Sequence, residues 1–323
     1  MREITNFPFR KAMVTGGAGF IGSHIVEELV KMGVETLSVD NYFAGKRENL
    51  AHLKKFSNFH EIKCDVTNLT ELEKYFHGVE VVFHQAASKK TICLNDPRRD
   101  LEINAKGTFN MLELALHHKV KKFIHASTGS IYGEGQYRPQ DENHPLVPTS
   151  YYGVSKLAGE KYAKVFEHLY DLDTTVLRYF HVYGPRQESS DVGGVVAIFT
   201  RLMLQGKPIR IFGDGTQERS FTYVKDVVRA NLLAAITKET KGEVYNCASG
   251  IKVTVKELAD MIANFLNVKN AAIRYEDWLP GDIRVFDIDN SKIVKHLGMV
   301  FTDFKQGLKH TIDWSKQYFY PSQ

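Results

Sequence analysis

Thr15-Gly16-Gly17-Ala18-Gly19-Phe20-Ile21-Gly22 is the stretch whose reading decides the fold. It follows a short β-rich run, Arg10 to Val14, and opens an amphipathic segment, Ile21 to Met32, that ends at Gly33. Missing Cβ atoms at 16, 19 and 22 permit a tight turn, close approach of a pyrophosphate and close packing of helix on strand. A helix starting there aims free N–H groups and its positive dipole end at the phosphates, which makes Phe20 and Ile21 cofactor contacts with the glycines. Asp40 closes the next β-rich run. A carboxylate in that place accepts hydrogen bonds from an adenosine ribose and repels a 2′-phosphate, so NAD is favoured over NADP. Cys64-Asp65-Val66 supplies another carboxylate at a strand end, suited to an adenine amino group.

Outward from this motif, strands and helices alternate. Glu35–Val39, Phe59–Cys64, Val79–His84, Phe123–Ala126 and Thr174–Leu177 read as strands. Helical spacing falls at Leu69–Phe76, Asn104–His118 and Leu157–Leu169. Repeated β-α units with short apolar strands predict an α/β fold, a doubly wound parallel sheet of the Rossmann kind covered on both faces. After Tyr179 the rhythm turns irregular, although Val244–Cys247 resembles one more buried strand. The expectation is a dinucleotide-binding domain from residues 1–178, joined by 222–248, and a smaller C-terminal substrate-binding lobe, mainly 179–323.

The chain has 323 residues, 43% hydrophobic and 25% charged, with a formal charge of +4. No apolar run approaches the roughly 18 residues of a membrane helix, and the short polar N-terminus predicts no signal peptide. Cys64, Cys93 and Cys247 lie far apart. They form neither a disulfide framework nor a thiolate metal site, so no metal is expected and the cytoplasm is the expected location. The densest basic cluster, Lys119-Val120-Lys121-Lys122, reads as a solvated helix end; a nucleic-acid footprint needs more charge on one face.

Tyr152-Gly153-Val154-Ser155-Lys156 is a Y-x-x-x-K spacing at the entrance to a helix. Positions i and i+4 share a helix face, so an ammonium can lie beneath the phenol. A nearby cation favours phenolate and brings the tyrosine towards the range of a general base. One β-α unit earlier, Ser127-Thr128-Gly129-Ser130 ends a strand. A hydroxyl there can hold the same substrate oxygen that the phenolate deprotonates, while hydride leaves the adjacent carbon for a nicotinamide.

These elements, in this order, resemble the extended short-chain dehydrogenases, and among them the NAD-dependent epimerase/dehydratase family. The resemblance runs through Asp40-Asn41, His84-Gln85-Ala86-Ala87, Asn104 with Gly107-Thr108, Arg178 to Arg186, Phe212 to Arg219, and Pro280 to Arg284. It implies that Thr128, Tyr152 and Lys156 form the catalytic set. It places Asn41, Gln85, Ala86, Ala87, Lys89, Asn104 and Tyr179 at the cofactor and Arg219 at the substrate nucleotide. The substrate implied is a nucleoside diphosphate sugar, and the assembly implied is a homodimer pairing helices of the first lobe.

Within that family, dehydratases carry an Asp-Glu pair at the places of Gly129 and Ser130, decarboxylases carry Glu at Ser130, and C5-inverting members tend to carry Cys there. Glycine offers no side chain and serine is too weak an acid to replace a carboxylate. Oxidation and re-reduction at C4 remain, so the pattern is similar to a 4-epimerase acting on a UDP-hexose, UDP-N-acetylhexosamine or UDP-uronate. Two positions depart from the family. His181 stands where Asn is usual near the sugar or diphosphate, and Leu279 stands where an Arg reaches the diphosphate, a contact that Arg284 can take over. The rival readings are a reductase of nucleotide 4-keto sugars and a non-catalytic NAD sensor.

Overall fold

The computed structural model describes residues 4, 7–88, 90–278 and 285–320. Lys89, Leu279 and Arg284 lie outside the described residues. Seven parallel strands form the central sheet: β1 (Lys11–Thr15), β2 (Glu35–Asp40), β3 (Phe59–Lys63), β4 (Val81–His84), β5 (Lys122–Thr128), β6 (Thr174–Tyr179) and β7 (Val244–Cys247). Their spatial order is β7-β6-β5-β4-β1-β2-β3. The chain reverses direction across the sheet between β1 and β4, which opens a crevice at the carboxyl ends of those strands. Along β1, Ala12 and Val14 face one core while Met13 faces the other. That is why the strands read as unbroken apolar runs.

Helix α1 (Phe20–Lys31) packs on one face beside α5 (Val224–Ile236), and their Ile25, Leu29, Val227 and Leu233 form one core. On the other face, α2 (Gly107–His117) and α3 (Tyr151–Tyr170) bury Met111, Leu112, Ala163 and Phe166. A third core gathers Tyr183, Phe199, Ile211, Phe221, Leu258 and Phe304 around α4 (Val195–Leu204), α6 (Val255–Leu266) and α7 (Phe304–Phe319). Around it lie two-stranded ladders pairing 182–183 with 222–223, 218–220 with 252–254 and 209–212 with 273–276.

Several boundaries differ from the sequence expectation. The helix expected from Leu157 starts six residues earlier at Tyr151, because Ser150 caps it by accepting from the Gly153 N–H at 3.1 Å. Tyr152 and Lys156 are therefore both helical. The helix expected from Asn104 becomes regular only at Gly107, after a π turn over Glu102–Lys106. The one expected over Leu69–Phe76 closes at Glu73. Lys122 is no solvated helix end: it opens β5, is 2% exposed, and binds Asp173 at 2.6 Å and Thr240 at 2.8 Å.

Candidate active site

The crevice between β1 and β4 is a cleft of about 360 Å³. Gly16, Gly19, Phe20, Ile21, Gly22, Asp40, Asn41, Asp65, Val66, Gln85, Ala86, Ala87, Tyr152, Lys156 and Tyr179 all line it. Gly16 has φ +65, a left-handed conformation that costs a residue with a Cβ. A Cβ on Gly16 would also lie 2.9 Å from the Ala86 N, and one on Gly22 would lie 2.1 Å from the Gly16 carbonyl oxygen. The glycines thus bring the β1 loop against the β4 loop and expose the start of α1.

Asp40 ends β2, buried, and accepts from the Ala18 N–H at 3.0 Å and the Tyr42 N–H at 2.7 Å. Burial pushes its carboxyl up, and these two donors oppose the rise. A carboxylate has about four acceptor positions, so two stay available to a ribose diol. Asp65 differs. Its carboxylate takes Asn41 Nδ2 at 2.7 Å, the Thr67 N–H at 2.9 Å, the Thr67 hydroxyl at 2.7 Å and the Arg99 guanidinium. Burial works to raise it, but Thr67 and Asn41 hold it below its ordinary value. With its acceptor positions filled by the protein, Asp65 is left with backbone and wall to offer an adenine.

Lys156 is 1% exposed, and its ammonium nitrogen finds no hydrogen-bond partner among the described residues. Burial pushes it down to about 8, against the Asp100 and Glu160 carboxylates. An orphaned buried amine beside the cleft is a donor that the hydroxyls of a bound ribose would satisfy. Together with the glycine cradle and the spare capacity of Asp40, it makes the cleft fit NAD. Tyr152 is half-buried, and burial pushes its phenol up to about 12, while a hydrogen bond with the Thr128 hydroxyl favours the phenolate. The sequence spacing predicts a phenol lowered by Lys156. In the structure burial of the phenol dominates, and the Lys156 amine is not hydrogen-bonded to it.

Asn104 is not at the cleft surface. It is fully buried behind it, donating to Ser88 at 3.1 Å, Asp100 at 2.9 Å and Ser155 at 2.9 Å. Tyr179 donates to Gln85 at 3.0 Å and is held by Asn231 at 2.8 Å. It lines both this cleft and a second of about 1120 Å³ that faces the third core.

Thr128, Ser130, His181 and Arg219 line the second cleft. Thr128 caps a short turn, accepting from the Ser130 N–H at 3.2 Å. His181 has φ +36, a region that Asn and His enter more readily than most residues. The backbone there accounts for His standing where Asn is usual. Its ring meets Phe286 edge-on at 4.7 Å, and the Arg219 guanidinium lies 5.6 Å from the Phe286 ring. Gly129 is sealed: a Cβ would stand 2.3 Å from Phe180 Cε1. Among the described lining residues the one carboxylate is Asp191, exposed and paired with Arg201 at 3.1 Å.

Sequence reasoning took Phe180 only as part of the motif from Arg178 to Arg186, and did not single out Phe286, Asp100 or the segment 187–194. Gly193 and Gly194 of that segment line both clefts. Its signal was faint, since Gln187-Glu188-Ser189-Ser190 reads as an ordinary polar loop.

A family model, NAD dependent epimerase/dehydratase family, matches residues 12–248, and the chain belongs to that family. The UDP-glucose 4-epimerase of Thermotoga maritima, solved with UDP-glucose, is 38% identical with a TM-score of 0.90, covering 96% of this chain and 99% of that one. The UDP-glucuronic acid 4-epimerase of Bacillus cereus, solved with UDP-glucuronic acid and NAD, is 34% identical with a TM-score of 0.89, covering 95% and 99%. A UDP-glucose 4-epimerase of Mycolicibacterium smegmatis is 35% identical over 294 residues, 89% of this chain and 92% of that protein.

Proposed function

We propose that the chain is an NAD-dependent nucleoside diphosphate sugar 4-epimerase. The observation that carries this reading is the chemistry around Thr128 and Tyr152. Gly129 is closed by Phe180, Ser130 bears only a hydroxyl, and Asp191, the one carboxylate among the described residues that line the cleft with Thr128, is paired with Arg201, so no unpaired carboxylate lines it. Elimination and decarboxylation need such a group; oxidation at C4 does not. NAD, when bound, would supply the hydride acceptor and donor for C4.

The chain's own groups do the rest. Gly16, Gly19, Phe20, Ile21 and Gly22 hold the pyrophosphate, Asp40 and Asn41 the adenosine ribose, Val66 and the Asp65 backbone the adenine. Gln85, Ala86 and Ala87 form the floor, and Lys156 takes the second ribose. Tyr152 removes the proton of the sugar 4-hydroxyl while Thr128 holds that oxygen. Arg219 and His181 face the diphosphate end. In this reading residues 1–178 and 222–248 bind the cofactor and 179–323 mainly bind the substrate.

A homodimer is supported by apolar side chains left exposed on α2 and α3: Phe109, Tyr162, Val165, Leu169 and Tyr170. Three free cysteines are consistent with a reducing compartment such as the cytoplasm, and no helix among the described residues is long and apolar enough to cross a membrane. Purified protein is expected to interconvert C4 epimers of a UDP-hexose, UDP-N-acetylhexosamine or UDP-uronate without added reductant. Failure with all three, combined with NADH-driven reduction of a 4-keto sugar, would favour a reductase.

Asp40 yields a cofactor prediction. Native protein binds NAD far more tightly than NADP, and Asp40→Ala narrows the gap by removing the charge that repels a 2′-phosphate. Isothermal titration with both dinucleotides measures it; equal native affinities would contradict the assignment.

A further inference from the structure

Asp100, on the short helix Pro97–Leu101, is 1% exposed. Its carboxylate accepts from the Ser155 hydroxyl at 2.6 Å, from Asn104 Nδ2 at 2.9 Å and from the Ser88 hydroxyl. These donors are all neutral. A buried carboxylate without a cationic partner is costly, and so is a buried ammonium without an acceptor, which is the condition of Lys156. Ser155 adjoins Lys156 and lies three residues after Tyr152, so the carboxylate rests against the first turns of α3 that carry both.

We propose that Asp100 is the buried counter-charge of the Tyr152–Lys156 pair, a positioning residue that keeps Lys156 an ammonium and anchors the start of α3 through Ser155. The inference rests on the reading of Tyr152 and Lys156 given above. The other titratable groups facing the pair do not fill this place. Glu160, on α3 itself, is committed to Arg178 at 2.6 Å and to Ser127 at 3.0 Å. His84 on β4 and His125 on β5 are both fully buried, and burial pushes His84 down to about 3 and His125 well below its ordinary value, so neither carries charge at neutral pH. Cys93, also buried, adds to the rise of the Tyr152 phenol. The Asp100 charge favours the protonated form of both members of the pair.

Removing that charge therefore moves the titration of the pair to lower pH. In Asp100→Asn the rising limb of turnover against pH is expected about one to three units below its native place, the usual effect of one close charge. The phenolate absorbance of NAD-loaded protein, taken as a difference against Tyr152→Phe, shifts equally and needs no turnover. Ser155→Ala keeps the charge and is expected to leave the limb in place. Loss of rate by one factor at every pH, with the limb unmoved, would overturn the proposal, as would a shift in Ser155→Ala as large as in Asp100→Asn. Should Asp100→Asn fail to fold, NMR of ¹³C-lysine-labelled native protein decides, with the Lys156 signal assigned by its absence in Lys156→Met. An ammonium at pH 7 is expected, and a neutral amine would overturn the proposal. Absence of epimerisation would remove the proposed function but leave both titrations decisive for Asp100.

Discussion

Tyr152→Phe is expected to lower turnover by at least about 10²–10⁴-fold, the range that a positioned general base supplies, while the protein keeps its fold and its NAD. The ring remains to fill its place in the wall of the first cleft; only the phenol oxygen that is hydrogen-bonded with Thr128 is removed. Burial holds that phenol near 12 in the protein alone. The native rate therefore rises with pH as the Tyr152 phenol gives up its proton, and the variant loses this dependence together with the rate. Steady-state rates against pH, with bound NAD measured by absorbance, test the point. A variant retaining most of the native rate would remove Tyr152 from the chemistry.

The second large effect concerns stability. Arg178 and Glu160 are 3% and 1% exposed and meet in a two-pronged pair, Nη2 to Oε1 at 2.6 Å and Nε to Oε2 at 3.1 Å. Arg178 also donates to the Glu142 carbonyl at 3.1 Å and to the Tyr132 hydroxyl. Arg178→Met leaves the Glu160 carboxylate buried without its cation, which destabilises by about 3–5 kcal/mol. Replacing both partners by apolar residues of similar volume recovers most of the loss, because the penalty lies in the stranded charge. Denaturant midpoints of the single and double variants measure this; equal losses in both would show that the pair itself, and not the isolated charge, carries the energy.

What was legible in the sequence follows from what residue types alone determine. Gly16 and Gly22 were readable because a residue without Cβ takes φ +65 at least cost, and because no Cβ fits 2.1 Å from a carbonyl oxygen. The Tyr152 and Lys156 spacing was readable because helical periodicity is local. Where a side chain points once the helix packs was not. Asn104 lies in the expected neighbourhood but turns its amide away from the cleft into the Asp100 network, and the π turn over Glu102–Lys106 that carries it has no simple periodic signal. Asp65 was read as an open carboxylate, yet Arg99, 34 residues on, claims it. The second lobe was hardest, since its strands are only two to four residues long, too short for alternation to show. The seal of Phe180 over Gly129 also depends on packing across the sheet end, although both residues stood inside the recognised motifs.

The most direct test of the proposed reaction follows the hydrogen at C4. A nucleotide-sugar carrying deuterium at C4, incubated with NAD-loaded protein in ordinary water, is expected to give the C4 epimer with the deuterium still at C4, no solvent hydrogen at C5 and no release of carbon dioxide. Loss of the label from C4, or solvent hydrogen entering C5, would contradict oxidation and return at C4.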